Sequence, residues 1–157
     1  MKYKNLDLAV SLQGVQGNKI ANIFRRYIDN MEGGNNCQID ALDRWVSEDD
    51  PGSGLVVRAN RSATGMNGTT STWHIEDGSY LRIKNITLGY TLPKDWLSNV
   101  GINHLRVYLS TQNPFTFTKY SGYNPEVNMK GNSLTPGIDY GTYPLAKSFV
   151  FGLNVTF

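Results

Sequence analysis

The stretch Ser148-Phe149-Val150-Phe151-Gly152-Leu153-Asn154-Val155-Thr156-Phe157 alternates between apolar and polar residues and stops on an aromatic. Phe149, Phe151, Leu153, Val155 and Phe157 fall on one side of an extended strand. Ser148, Gly152, Asn154 and Thr156 fall on the other, with Val150 the exception. Successive side chains of a strand point to opposite faces, so the segment has one oily face and one polar face. A soluble domain can turn the oily face to its core. A membrane β-barrel turns it to lipid and keeps the polar face toward a wet lumen. A chain that ends on such a strand, with no polar tail, favours the barrel.

The same periodicity recurs upstream. Over residues 4–13, Leu6, Leu8, Val10 and Leu12 alternate with Asn5, Asp7, Ala9, Ser11 and Gln13. Asp7 sits easily in an aqueous lumen and at high cost in a sealed core. Over 79–92, Leu81 and Ile83 lie on one parity and Ile86, Leu88 and Tyr90 on the other, so a β-bulge near Asn85 is expected to bring both sets to one face. Over 104–119, Leu105, Val107 and Leu109 alternate with polar residues, and Phe115 and Phe117 resume after Pro114, where a local irregularity is expected. The fourth strand spans 147–157. Residues 93–103 form a short polar connector. Residues 14–78 and 120–146 are long Gly-, Asn- and Pro-rich loops.

Within the first loop, Ile20, Ile23, Phe24, Tyr27 and Ile28 recur at helical spacing, which predicts a short helix. Residues 40–46 predict another, capped by Asp40. A loop of this length is unusual in a compact soluble domain and ordinary on the outside of an outer-membrane barrel.

Composition narrows the choice. Only 39% of residues are hydrophobic while 11% are aromatic, nine of them Tyr. That suits amphipathic strands with aromatic girdles, and also a sugar-binding β-sandwich. A net charge of +2 without a basic block gives no reason to expect nucleic acid. The single cysteine, Cys37, cannot close an internal disulfide. Residues 1–7 lack an apolar signal region, and no run of about 18 apolar residues is present for a spanning helix. Set beside the barrel-like strands, these features lead to the expectation that the chain is a piece of a longer protein.

Longer motifs then carry a resemblance. The segment from Trp73-His74-Ile75-Glu76-Asp77-Gly78-Ser79-Tyr80-Leu81-Arg82-Ile83-Lys84-Asn85 through Gly89-Tyr90-Thr91-Leu92-Pro93 resembles the C-terminal region of SusC/RagA-type TonB-dependent transporters. So do Tyr108-Leu109-Ser110-Thr111-Gln112-Asn113-Pro114-Phe115-Thr116-Phe117, Gly122-Tyr123-Asn124-Pro125-Glu126, Gly141-Thr142-Tyr143-Pro144 and the terminal strand. Gln13-Gly14, Gly17-Asn18 and Arg44-Trp45 are similar more weakly. The resemblance implies an all-β fold: an antiparallel sheet forming the last four strands of a transmembrane β-barrel of about 22 strands, with long external loops carrying short helices. It implies an outer-membrane importer of oligosaccharides or peptides, capped by a SusD-like surface lipoprotein and driven by the TonB complex through an N-terminal part that this chain does not contain. Outer-membrane lipid would surround it. A soluble carbohydrate-binding β-sandwich and an inactive truncated gene product are the alternatives.

No enzymatic or cofactor chemistry is expected. Glu76 and Asp77 are adjacent on a strand and point apart, which suits a structural turn at Asp77-Gly78 better than paired catalysis. His74 and His104 stand far apart with no ligand spacing and read as surface or interfacial residues. Glu48, Asp49 and Asp50 lack the spaced pattern of a calcium loop. Asn67-Gly68-Thr69 and Asn85-Ile86-Thr87 match the glycosylation sequon, which has no meaning in a bacterial barrel. The candidates for substrate or lid contact are Trp45, Trp73 and Tyr123, flat aromatics in the long loops that can stack on a sugar or grip a protein partner. Arg82, Lys84 and Arg106 are expected on the lumen side, because a cation facing lipid at mid-depth costs roughly 2–4 kcal/mol.

Overall fold

The computed structural model describes residues 1–29, 31, 36–60, 69–98, 101–127 and 136–157. The elements in chain order are β1 (Lys2–Tyr3), β2 (Leu6–Val15), β3 (Lys19–Asn22), α1 (Ile23–Ile28), β4 (Ile75–Asp77), β5 (Tyr80–Thr91), α2 (Lys94–Leu97), β6 (His104–Thr118), β7 (Ile138–Asp139) and β8 (Ser148–Thr156). They fall into two compact units. One comprises Met1–Gln16, Ser79–Lys119 and Pro144–Phe157, the other Gly17–Gly78 and Tyr120–Tyr143.

The first unit is a five-stranded antiparallel sheet in the order β1-β2-β5-β6-β8. It begins as a tight hairpin, because Lys4 adopts a positive φ of 52° and β1 folds back on Leu6 and Asp7. The register aligns the apolar parity of every long strand. Leu6, Tyr90, Val107 and Leu153 form one row across the sheet. Leu8, Leu88, Leu109 and Phe151 form the next, followed by Val10, Ile86, Thr111 and Phe149. Phe149 is 72% exposed, Phe151 68%, Leu153 57% and Val155 43%, so no second layer covers this face among the described residues. A sandwich would have sealed these four side chains between two sheets. The sheet is open, with β1 and β8 as its edges.

The two irregularities expected from the sequence are one feature. Ser11 pairs with Asn85 and Leu12 with Ile83, which leaves Lys84 as the extra residue of β5. On the other side Ile83 pairs with Phe115 and Asn85 with Gln112, so Asn113 and Pro114 stand opposite Lys84. Asn113 takes a positive φ of 49°. Pro114 therefore sits at the bulge, where its missing N–H costs no ladder bond. The slip keeps Leu81 and Ile83 in phase with Ile86, Leu88 and Tyr90.

The polar face is cross-linked. Arg106 donates to both carboxylate oxygens of Asp7, at 3.0 and 2.6 Å. Asn85 and Thr87 bond Ser110. Arg82, only 2% exposed, donates to Thr116 at 3.0 Å and lies over the Tyr80 ring. Two glycines make room here: a Cβ at Gly89 would strike the Arg106 and Asp7 side chains, and one at Gly152 would strike the Tyr108 ring. Arg82 and Arg106 thus share the face opposite the oily rows, and Lys84 occupies the bulge.

In the second unit, β3 pairs antiparallel with β4 and parallel with β7. Ile20, Tyr120 and Val127 form its core. The expected helix over Ile20–Ile28 is shorter than its periodicity suggested. Asn22 accepts from the Arg25 N–H at 3.2 Å and caps α1, while Ile20 lies in β3 and is fully buried. The expected helix at 40–46 is a 3-10 turn over Ile39–Asp43, with Gln38 at its N-cap and no capping side chain. Asp40 is not the cap. Asp43 instead accepts from the Ser53 N–H, and Arg44 bridges to Val56. Asn67 and Gly68 of the first sequon, and parts of both long loops, lie outside the described residues.

Candidate functional site

The second unit is organised around Glu76. Its carboxylate accepts from the Ser121 N–H at 2.9 Å, the Ser121 hydroxyl at 2.8 Å and the Asn22 amide at 3.0 Å. Arg25 approaches at 3.4 Å. Burial alone would push this carboxyl up, but the Ser121 and Asn22 hydrogen bonds and the Arg25 charge outweigh it and hold the carboxyl below its usual range. A second buried acid, Asp139, accepts from the Tyr120 hydroxyl and from the Gly141 and Thr142 N–H groups, the latter two at 2.8 Å. Desolvation again opposes ionisation, and the three donors again win. The same burial, with the hydrogen bond to Asp139 and its charge, drives the Tyr120 phenol well above its ordinary range. Glu76 is thus a strut between segments, standing in β4 rather than in the turn expected at Asp77-Gly78.

Arg25 links this hub to a cavity. It is held by Asp29 at 2.9 Å and by Glu76, and its guanidinium lies 5.2 Å from the centre of the Trp73 ring. Trp73 stands on the 3-10 turn Thr72–His74, whose N-cap is Ser71. The Ser71 hydroxyl accepts from the Trp73 N–H, and His74 Nδ1 accepts from the Ser71 N–H at 3.2 Å. With Nδ1 accepting, the neutral ring carries its proton on Nε2. Trp73, His74, Arg25, Ile28 and the run Leu55-Val56-Val57 border a cavity of about 180 Å³ whose open lining is mainly apolar.

The three aromatics singled out in the sequence do not converge. Trp73 borders the cavity and is 45% exposed. Trp45 is half-buried, does not line the cavity, and donates its backbone N–H to the carbonyl of the cavity residue Val56 at 3.0 Å. Tyr123 is 74% exposed and lines no part of the cavity. His74 corrects the expectation of a surface histidine, being 5% exposed. Sequence reasoning missed Arg25, His74 and Leu55–Val57, because they meet only through the fold. The capping pattern Ser71-x-x-His74 was the one local signal. Among the described residues, no three His, Cys, Asp or Glu side chains could hold a metal ion.

Comparison with known proteins explains the sheet. No family model matches the chain. The whole chain is 33% identical to TonB-dependent receptor P3 of Formosa agariphila, covering 15% of that protein. It is 31% identical over its full length to the TonB-dependent receptor SusC of Bacteroides thetaiotaomicron, covering 14% of it. The structure of the RagAB peptide transporter superposes on 98% of the chain with a TM-score of 0.78 and 27% identity, again using 16% of the larger chain. Receptors and transporters, not enzymes, therefore define its class. Along its whole length the chain is similar to SusC/RagA-type TonB-dependent receptors, as a segment spanning about one sixth of the length of the relatives it matches.

Proposed function

We propose that this segment is the C-terminal wall of an outer-membrane β-barrel that imports a nutrient. The carrying observation is the exposed oily face: rows of Leu, Val, Ile and Phe run across four strands with no layer over them among the described residues, while the opposite face holds the Asp7–Arg106 ion pair and hydroxyls. Water on the oily side would make this arrangement costly. Lipid makes it favourable, and then Asp7–Arg106, Asn85 and Arg82 face the lumen. Strands of 10, 12, 15 and 9 residues are long enough to cross a bilayer at a tilt. The open edges at β1 and β8 await the remaining strands of the same barrel.

Residues 14–78 and 120–146 then form external loops on one rim, and Trp45, Trp73 and Tyr123 are their candidate contacts for substrate or lid. The imported nutrient is an oligosaccharide or a peptide, the lid a SusD-like lipoprotein, and the energy comes through TonB acting on the N-terminal part of the receptor. The kinship with SusC and with the RagAB transporter supports this reading. It is tested by isolating the receptor that carries this segment from cell envelopes in detergent. The expected result is recovery from the outer-membrane fraction, a gel mobility that changes on boiling, and co-purification of a surface lipoprotein. Recovery in the soluble fraction without detergent overturns it.

A further inference from the structure

We infer that a second cavity, on the five-stranded sheet, is a binding site for a soluble phosphate monoester. It measures about 500 Å³, within the range of roughly 300–1,000 Å³ of small-molecule sites. Lys2, Lys4, Asp7, His104 and Arg106 line it. Lys2 pairs directly with Asp7, Arg106 bonds Asp7, and His104 stands two residues from Arg106, so these four share the polar face. Lys4 stands at the tip of the hairpin between β1 and β2. The oily rows lie on the other face, so an ester reaching this cavity comes from water and not as a lipid headgroup.

Charge selects the ligand. Asp7 is the one carboxylate on the cavity wall, and Arg106 occupies both of its oxygens. That pair cancels, and Lys2 and Lys4 leave a surplus of two positive charges. A phosphate monoester carries about −1.5 to −2 at pH 7 and three strong acceptor oxygens. A carboxylate or a phosphodiester brings a single negative charge. Donors are available in matching number. Arg106 spends its Nε–H and one Nη2–H on Asp7, so three of its five N–H groups remain. The Lys2 and Lys4 ammonium groups and the His104 ring make no hydrogen bond among the described residues. The frame is fixed in advance. The Leu8 N–H donates to the Met1 carbonyl and the Thr91 N–H to the Asn5 carbonyl, both at 2.9 Å, which holds β1 against β2 and the hairpin tip against β5. The Arg106 guanidinium also lies 5.3 Å from the centre of the Tyr108 ring. Little ordering of the backbone is left for binding to impose.

The test uses the full receptor in detergent and isothermal titration with glycerol 3-phosphate in phosphate-free buffer. A saturable site is expected, at least about tenfold tighter for this ligand than for dimethyl phosphate or acetate. Lys2→Gln combined with Lys4→Gln, both at exposed sites, removes the charge surplus and is expected to weaken binding at least about tenfold. Lys2→Arg combined with Lys4→Arg keeps the charge and is expected to retain binding. Phosphatidic acid added to the micelles is expected not to displace glycerol 3-phosphate. Absence of saturation, equal affinity for dimethyl phosphate or acetate, binding unchanged by the double Gln substitution, or displacement by phosphatidic acid overturns the inference. Boil-sensitive gel mobility, measured on each variant, reports the barrel separately, so loss of the site is distinguishable from loss of the fold and from failure of the import reading.

Discussion

Single side chains decide how the second unit holds together, and their titration makes that visible. Glu76 and Asp139 are ionised in the fold with carboxyls held below their usual range. A depressed carboxyl contributes stability above its unfolded value and loses it as pH falls toward the folded value. Loss therefore begins as pH drops past the ordinary values of 4.5 for Glu76 and 3.8 for Asp139. Tyr120 acts at the other end. Its phenol is raised, so its contribution is complete below the ordinary value of 10.0 and fades as pH climbs beyond it. Hydrogen exchange at the Ile20 amide should show a plateau between these limits and faster opening outside them. Tyr120→Phe should lower protection by about 1.5–3 kcal/mol, the range for a hydrogen bond to a charged group, and should blunt the alkaline loss. An alkaline limb unchanged in that variant contradicts the assignment. Sequence pointed to a structural turn at Asp77-Gly78 and not to a hub at Glu76, because the partners are distant: Ser121 lies 45 residues away and Asn22 lies 54 away. His74 was misjudged for the same reason, since a lone histidine carries no pattern that reports burial.

Elements were legible where they were long and regular. The period of two marks β2, β5, β6 and β8, because apolar residues recur at every second position along most of each, interrupted only at the slip in β5 and at Thr111 and Pro114 in β6. The phase slip near Asn85 and the proline at 114 were visible as separate anomalies; only the register shows that they oppose each other across β5 and β6. The second unit was far less legible. β3, β4 and β7 run for four, three and two residues, too short for any period to declare itself. Ile20 fitted a helical repeat by chance and instead fills a small core. The bulge yields a sharp expectation. Deleting Lys84 removes the extra residue and the phase slip together, leaving Leu81, Ile83, Ile86, Leu88 and Tyr90 in unbroken alternation on one face. The receptor carrying that deletion should therefore still reach a boil-sensitive folded form, as should Lys84→Ala. Failure of the deletion to fold while Lys84→Ala folds would contradict this reading of the slip.

At the scale of the whole molecule, one face of an open sheet must find a non-aqueous neighbour. Two edges, β1 and β8, and several rows of exposed aliphatic and aromatic residues are not a stable end state in water. Likeness to the SusC/RagA-type receptors supplies a setting in which the rest of a longer chain can complete the sheet and lipid can cover its outside. The alternation along Ser148–Thr156 lets that idea be measured residue by residue. Cys37 is the chain's one cysteine, so Cys37→Ser leaves this segment free for single nitroxide labels. In the receptor reconstituted into bilayers, labels at 149, 151, 153 and 155 should be accessible to oxygen and shielded from a water-soluble nickel complex. Labels at 148, 152 and 154 should show the opposite preference. Loss of that alternation, or all four oily positions shielded from both reagents beneath protein, would contradict lipid as the neighbour of this face.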